Sequence, residues 1–201
     1  MAPTALKRLI LVAGDDSLRA ELRALLREGG YQVIGETGDG VSAVNMARAL
    51  RPDLALVDVE LRGMDGISAA EAISRQRSAP VLLLTQEARQ QQVQRAVQAG
   101  VFGCVLKPVS AMKLITAMEI ARQLATLART TQRAADDLRD EITTQKLLER
   151  AKAILADELG LTDAAALERI NQLAERSGKT VRQVANGVII STQAQQKGAN
   201  A

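Results

Sequence analysis

The 201-residue sequence contains no histidine, no tryptophan and a single cysteine, Cys104. One cysteine cannot form a disulfide within a chain, and the missing histidine excludes catalytic pairs in which it activates a serine or a cysteine. Zinc sites built from cysteine and histidine are excluded for the same reason. The sequence also lacks an apolar signal segment and any apolar run of about 18 residues, the length of a membrane-spanning helix. We therefore expect a cytoplasmic protein.

Aromatic residues make up only 1% of the sequence, whereas apolar residues make up 47%. A core must therefore be filled by leucine, valine, isoleucine, alanine and methionine. The formal net charge is +3, from 26 basic and 23 acidic residues. This small surplus excludes a strong non-specific attraction to polyanions.

Short apolar runs alternate with helical patterns through the first half of the chain. The runs lie at 9–12, 31–34, 54–57, 81–84 and 104–106, and the helical patterns at 17–28, 41–50, 67–73 and 93–99. Runs that are apolar at every residue are typical of strands buried on both faces. The alternation predicts an α/β domain with a five-stranded, doubly wound parallel sheet. In such sheets the site lies beyond the carboxyl ends of the strands.

Four of these predicted strands end in polar residues of complementary chemistry. Asp15 and Asp16 follow the first strand, Asp58 the third, Thr85 the fourth and Lys107 the fifth. Grouped carboxylates attract a hard cation such as Mg²⁺, and a nearby ammonium and hydroxyl suit a phosphoryl group carried on a carboxylate. Each residue alone has an ordinary explanation as a helix cap or a turn. The ordered set favours the phosphoryl site.

Over about residues 6–120 the sequence resembles the receiver domains of two-component response regulators. The matching residues are Asp15, Asp58, Met64-Asp65-Gly66, Thr85 and Lys107-Pro108. The resemblance implies a flavodoxin-like fold, a cis peptide bond before Pro108, and phosphorylation of Asp58 by a sensor histidine kinase or a small phosphodonor. It also implies a set of ligands for Mg²⁺ and for the phosphoryl group: Asp15, Asp58, the backbone carbonyl of Glu60 and, as a further candidate, Asp16 for the metal, and Thr85 and Lys107 for the phosphoryl group.

Two residues depart from the receiver pattern. Gly14 stands where most receivers carry the first carboxylate of an acidic pair, so we expect weaker metal affinity, with Asp15 keeping the direct contact. Cys104 replaces a tyrosine or phenylalanine that turns inward on phosphorylation. Phe102 would lie on the same face of that strand but farther from the site. Coupling from Thr85 to a dimer face is therefore expected to be weak or differently built.

Neither glycine nor proline occurs between Pro108 and Gly160, and helical periodicity is nearly continuous from 111 to 159. An imperfect heptad seam runs along the middle of this helix: Ile120, Leu124, Leu127, Thr131, Ala134, Leu138 and Ile142. A solvated linker helix is one interpretation. A homodimeric coiled coil is favoured, because a long apolar stripe would otherwise face water.

The C-terminal part predicts a small all-α domain of three helices. Gly160 and Gly178 separate these helices, and Thr180 with Gln183 forms a capping box at the start of the third. After Ser191 the sequence turns to glutamine, lysine, glycine and asparagine, which predicts a disordered tail.

This domain resembles the ANTAR family, an RNA-binding antitermination domain found behind receivers in nitrate, amidase, ethanolamine and many actinobacterial regulators. The matching residues are 150–155, Leu161-Thr162, Ala166-Leu167 and Val184-Ala185, although Ala153, Ala156 and Leu167 depart from the usual residues. The resemblance implies binding to hairpin RNA in nascent transcripts, which prevents a terminator from forming. The candidate RNA-binding residues are basic: Lys146, Arg150, Lys152, Arg169, Arg176, Lys179 and Arg182.

The predicted organisation is a receiver domain at 1–118, a coiled-coil linker helix at 119–145, an RNA-binding domain at 146–191 and a tail at 192–201. Three functions fit it. The first is an antiterminator switched by phosphorylation at Asp58, and the second is a signalling scaffold whose output domain binds protein. The third is a DNA-binding regulator, which is disfavoured because the last helix offers only Arg182, Gln183 and Asn186 for base contacts. An enzyme with its own turnover is not expected.

Overall fold

The computed structural model describes residues 7–87 and 89–199. The elements follow in the order β1 (Lys7–Val12), α1 (Asp16–Glu28), β2 (Tyr31–Thr37), α2 (Gly40–Leu50), β3 (Leu54–Asp58), α3 (Gly66–Arg75), β4 (Val81–Thr85), α4 (Gln90–Gln98), β5 (Cys104–Leu106), α5 (Ala111–Leu159), α6 (Asp163–Ser177) and α7 (Val181–Ala199). They form two compact units, residues 1–129 and 130–201.

The first unit contains a five-stranded parallel sheet in the order β2-β1-β3-β4-β5. This confirms the predicted flavodoxin-like fold. The strand order changes direction at β1, which pairs with both β2 and β3. The carboxyl ends of β1, β3 and β4 therefore meet at one edge, where open parallel sheets place their ligands.

Alternate residues of each central strand point to opposite faces of the sheet. Ile10 and Val12 pack with α2, α3 and α4, whereas Leu9 and Leu11 pack with α1 and α5. All four side chains are fully buried. Burial of each stabilises the fold by about 1.5–3 kcal/mol relative to exposure.

The strand β5 departs from the prediction of burial on both faces. Val105 is buried, but Cys104 and Leu106 on either side of it are exposed. The reason is position, since β5 pairs only with β4 and forms the edge of the sheet. An apolar run of three residues does not distinguish an edge strand from a central one.

The helix α5 is continuous over 49 residues, which confirms the predicted helix from 111 to 159. Leu114 and Met118 in its first turns are fully buried in the core of the first unit. No residue from 126 to 150 is buried. Within the described part of the chain, no helix combines the length and the apolar character that a membrane crossing needs.

Glu119 fastens the start of α5 to the first two strands. Its carboxylate accepts a hydrogen bond from the Tyr31 hydroxyl at 2.5 Å and forms ion pairs with Lys7 and with Arg122, the latter at 3.1 Å. Partial burial raises the pKa of Glu119, but the hydrogen bonds from Lys7, Tyr31 and Arg122 outweigh it and bring that pKa to about 2. Burial and the neighbouring carboxylate raise the pKa of Tyr31.

The second unit has a small aliphatic core contributed by α5, α6 and α7. Its buried residues are Ala151, Leu155, Ala166, Ile170, Ala185 and Ile189. The predicted capping box is present: the Thr180 hydroxyl accepts from the Gln183 N–H at 3.2 Å, and the Gln183 side chain accepts from the Thr180 N–H at 3.0 Å. Gly178 ends α6 in the left-handed conformation, with φ 63°.

The predicted disordered tail differs from the structure, in which α7 continues to Ala199. Thr192 is buried, and its hydroxyl donates to the carbonyl of Val188 at 3.1 Å. Glutamine, alanine and lysine are favourable in helices, and no proline interrupts them. Residues 200 and 201 of that prediction lie outside the described residues.

We expect the free energy of unfolding to decrease as pH falls from 4.5 to about 2, because Glu119 loses its charge over that interval. A lowered pKa in the folded protein means that the carboxylate stabilises the fold above its ordinary pKa, and that this contribution is lost as the folded pKa is crossed. Denaturant unfolding followed by circular dichroism across this pH range measures the effect. Glu119→Gln should be less stable near neutral pH and should lose less stability on acidification. Parallel pH profiles for the two proteins would contradict the assignment.

Candidate functional site

Asp58 and Lys107 form a buried ion pair at the carboxyl edge of the sheet. Asp58 is the last residue of β3 and is 2% exposed. Lys107 follows β5 and places Nζ 3.0 Å from Oδ2 and 3.1 Å from Oδ1 of that carboxylate. The Lys107 N–H donates to the Thr85 carbonyl at 2.8 Å, which holds the lysine beside β4. The peptide bond between Lys107 and Pro108 is cis, as the receiver resemblance implied.

A second polar layer covers this ion pair. Glu60 accepts from Lys107 at 3.3 Å and from the Gln86 side-chain amide at 2.9 Å. The Glu60 N–H donates to Asp58 Oδ1 at 3.2 Å. The sequence pattern did not predict Gln86, and it predicted a role for Glu60 only through its backbone. Its position directly after Thr85 is the feature of the sequence that could have indicated a side chain at this site.

The Thr85 hydroxyl hydrogen-bonds with the loop that follows β4. It donates to the Glu87 carbonyl at 2.8 Å and accepts from the Glu87 N–H at 3.3 Å. Thr85 is buried at the same sheet edge as Asp58. Its hydroxyl would have to rotate away from Glu87 to contact a group on Asp58.

A small pocket, mostly apolar, lies beside Thr85, and Cys104 forms part of its wall. Phe102 packs on the opposite face of the sheet, with the cluster of α1 and α5. The expectation that Phe102 shares a face with Cys104 is therefore wrong. Side chains alternate regularly only within a strand, and β5 begins at Cys104. The pocket is lined by Val59, Ile67, Leu83, Thr85, Glu87, Gln92, Val93, Ala96 and Cys104.

Gly66 lets the chain turn closely behind Asp58. A Cβ at residue 66 would lie 1.9 Å from the Asp58 carbonyl oxygen, so a side chain does not fit there. The Gly66 N–H donates to the Val59 carbonyl at 2.9 Å. Asp65 caps α3 by accepting from the N–H groups of Ile67 at 3.1 Å and Ser68 at 3.2 Å. These contacts explain the Asp-Gly of the receiver motif.

Asp15 is the N-cap of α1. Its Oδ1 accepts from the N–H groups of Ser17 at 2.7 Å and Leu18 at 3.0 Å. The amide hydrogen bonds from Leu18 and Ser17 lower the pKa of Asp15, and Arg19 and Lys107 lower it further by charge. Asp16 is exposed and forms an ion pair with Arg19.

Receiver domains typically bind Mg²⁺ at the phosphorylation site, and most side-chain oxygens of the predicted ligands are already engaged here. Asp15 caps a helix, and Asp16 pairs with Arg19 at the surface. Both oxygens of Asp58 are paired with Lys107. In the described ranges, no group of three or more acidic, histidine or cysteine residues could hold a metal ion. The predicted role of Asp16 as a metal ligand is not supported by this geometry.

Most of the basic residues predicted to bind RNA are exposed to solvent. Arg182 forms an ion pair with Asp140 at 3.1 Å. The others form no ion pair with any residue that the structure describes: Lys146, Arg150, Arg169, Arg176 and Lys179. Lys146 and Arg150 are four residues apart on α5 and share a face of the helix.

Lys152 differs from the other six. Its side chain is only 13% exposed, and its ammonium pairs with Glu149 at 2.8 Å and with Asp163 at 3.5 Å. Glu149 and Asp163 also raise the pKa of Lys152. Because Asp163 is the first residue of α6, Lys152 ties α5 to α6 within the output unit. Lys152 is therefore less accessible than the other six residues, and its contact with RNA stays a prediction.

A buried carboxylate paired with a lysine, at the edge of a flavodoxin-like sheet, is the arrangement expected of a receiver domain. The response regulator receiver domain matches residues 9–119, and the ANTAR domain matches residues 136–189. The chain therefore belongs to the response regulators that carry an ANTAR output domain.

Known proteins similar to this chain differ in how much of it they cover. The transcriptional regulatory protein PdtaR of Mycobacterium tuberculosis is 36% identical over 94% of this chain and 92% of its own length. The chemotaxis protein CheY of Pseudomonas aeruginosa is 34% identical over 53% of this chain and 89% of its own length. The solved receiver domain of a modulated diguanylate cyclase from Desulfovibrio desulfuricans has a TM-score of 0.57 and 34% identity, and covers 61% of this chain and 98% of that one.

We expect Lys107→Met to lower the free energy of unfolding by about 3 kcal/mol, because it leaves the Asp58 carboxylate buried without a cation. Urea unfolding at neutral pH measures this. The double variant Asp58→Asn, Lys107→Met should recover a large part of the loss, since no buried charge remains. A double variant as unstable as the sum of the two single variants would show that the ion pair is not the reason.

Proposed function

We propose that this chain is a transcription antiterminator that binds hairpin RNA in nascent transcripts and carries its phosphoryl group on Asp58. The observation that carries the proposal is a set of solvent-exposed basic residues, free of ion pairs with described residues, on a domain matched by the ANTAR family. The similarity to a transcriptional regulatory protein over 94% of the chain supports regulation of transcription.

The output unit would bind RNA mainly through phosphate contacts. Lys146 and Arg150 lie one helical turn apart and could approach neighbouring phosphates. The unit has no aromatic residue on which bases could stack. Arginine planes, for example those of Arg150, Arg169 and Arg176, would take over that role.

Asp58 is proposed as the nucleophile toward the phosphohistidine of a sensor histidine kinase. One carboxylate oxygen would attack phosphorus and the bond from phosphorus to the histidine nitrogen would break, with the electron pair remaining on the imidazole. The product would be an acyl phosphate on Asp58. Lys107 is already beside the carboxylate and would neutralise phosphoryl oxygens, and the Thr85 hydroxyl would turn from Glu87 to donate to one of them.

The functional division of the chain is proposed as a receiver at 1–118, a linker helix at 119–145 and an RNA-binding domain at 146–191. The ANTAR match begins earlier, at residue 136, and the compact second unit begins at 130. Both of these starts lie inside α5. The linker and the first output helix are therefore parts of one helix, and no break in α5 marks the proposed boundary at 146.

A homodimer is proposed through the exposed stripe on α5. Its apolar members are each between 45% and 63% exposed: Ile120, Leu124, Leu127, Leu138 and Ile142. Together with Thr131 and Ala134, which lie between Leu127 and Leu138, they recur at steps of three and four residues, as in a coiled-coil seam. A second copy of the same helix offers a complementary stripe and would cover these side chains.

The RNA-binding proposal is tested by gel shift with an RNA that contains two hairpins. We expect Arg150→Ala to weaken binding about tenfold and to reduce its salt dependence, because one phosphate or base contact is lost. Arg48→Ala removes an exposed arginine of the receiver and is the matched control, for which no change is expected. Lys152→Ala should lower the melting temperature, unlike Arg150→Ala.

Two outcomes would contradict this function. Equal binding to duplex DNA of the same length would point to the DNA-binding alternative. The absence of RNA binding in the folded protein, with and without a phosphodonor, would leave the protein-binding scaffold as the better function.

The dimer proposal is tested by light scattering after size exclusion. We expect the unmodified chain to be a dimer and Leu124→Lys, Leu138→Lys to be a monomer, since two charges per helix would enter the seam. Thr143→Lys, on a different face of α5, is the matched control and should remain dimeric. A monomeric unmodified chain would refute the coiled coil.

A further inference from the structure

Residue 14 lies at the point where the ends of β1 and β3 come together. Val12 at the end of β1 pairs with Val57, the neighbour of Asp58. A Cβ built on Gly14 would lie 3.0 Å from the Glu60 carbonyl oxygen and 3.8 Å from the Leu61 Cα. A side chain at residue 14 would therefore extend toward the segment that directly follows Asp58. Glycine places no ligand there.

Asp15 does not supply the carboxylate ligand that residue 14 lacks. Its Oδ1 is held by two amide donors at the start of α1, those of Ser17 and Leu18. The cap engages only Oδ1, and turning that oxygen toward Asp58 would leave both amides without an acceptor, so Oδ2 is the one oxygen of Asp15 that the cap leaves available. Asp39 also caps its helix, α2, and accepts from the Ser42 N–H at 2.7 Å. Asp15 thus serves as a helix cap, as Asp39 does.

The site formed by Asp58, Glu60 and Lys107 already contains a positive charge of the kind that a divalent cation would supply. The Lys107 ammonium contacts both oxygens of Asp58 and one oxygen of Glu60. A second cation among these groups would have to share its carboxylates with the ammonium. Mg²⁺ usually keeps several of its waters and is held by one or two carboxylates, and the carboxylates of Asp58 and Glu60 are both paired with Lys107 here.

We infer that the acceptor pocket of this chain has no functional divalent-cation site, and that the glycine at residue 14 is the cause. The inference rests on the proposed assignment of Asp58 as the acceptor. A carboxylate at residue 14 would create the site, because it would stand beside the Glu60 carbonyl and next to Asp58. Without a bound cation, a carboxylate at residue 14 would only add electrostatic repulsion with the Glu60 carbonyl oxygen and the Asp58 carboxylate.

Mg²⁺ alone is the probe, and thermal unfolding of the full chain by circular dichroism is the measurement, with NaCl of equal ionic strength as reference. The unmodified chain should melt at the same temperature in both salts. Gly14→Asp should melt lower than the unmodified chain in NaCl and gain about 5 °C at saturating Mg²⁺. Gly14→Asn has the same size without the charge and should gain nothing.

The variants Asp15→Asn and Asp39→Asn distinguish a carboxylate that caps a helix from a carboxylate that binds a cation. Both should lower the melting temperature by similar amounts through loss of a cap, and neither should change the response to Mg²⁺. If Gly14→Asp does not fold, these two variants and the unmodified chain still decide whether the chain has a divalent-cation site.

A Mg²⁺-dependent rise in the unmodified chain that Asp15→Asn removes would overturn the inference, since Asp15 would then be the ligand. A folded Gly14→Asp without any Mg²⁺ response would overturn it as well. Neither result involves RNA, so failure of this inference is distinguishable from failure of the proposed RNA binding in the gel-shift experiment.

Discussion

A carboxylate buried at the end of a parallel sheet must have a cation beside it, and the pairing of Asp58 with Lys107 meets that condition. The surrounding geometry depends on this pair. Glu60 and Gln86 cover it from the solvent side, and Gly66 leaves room for the chain behind it. Any event that changes the charge on Asp58 therefore changes what Lys107 and Glu60 must contact. This is the physical basis on which a phosphoryl group could alter the loops at this edge.

Burial, more than residue type, separates the roles of the basic side chains. Lys107 and Lys152 are both largely buried, and each contacts two carboxylates within the chain. Arg150 is exposed and has no such partner among the described residues, which leaves its charge available to a polyanion. Sequence alone gives the same positive charge at 150 and 152. The difference follows from the helix period, which turns residue 152 toward α6 and residue 150 outward.

The sequence predicted the sheet because four short runs are apolar at every residue, a pattern typical of strands buried on both faces. It did not predict that Cys104 and Leu106 are exposed, since edge position is a property of strand order and not of a three-residue run. It also could not decide between a cap and a ligand for Asp15, because aspartate after a strand serves both purposes and the choice depends on side-chain direction. It also did not predict the helical end of α7, because the polar composition after Ser191 conceals the buried Thr192.

The helix α5 contributes to the cores of both units, with Leu114 in the first and Leu155 in the second. Its middle has no buried residue within one chain, so intrachain packing does not fix that stretch. A signal from the acceptor pocket acts on the output only if it changes the relative free energies of two states that include this helix. Pairing of the α5 stripe with a second copy would supply such states, because the free energy of a partly exposed seam depends on how its two helices align. Under the proposed dimer, control through α5 would depend on two quantities, the charge at Asp58 and the stability of the seam.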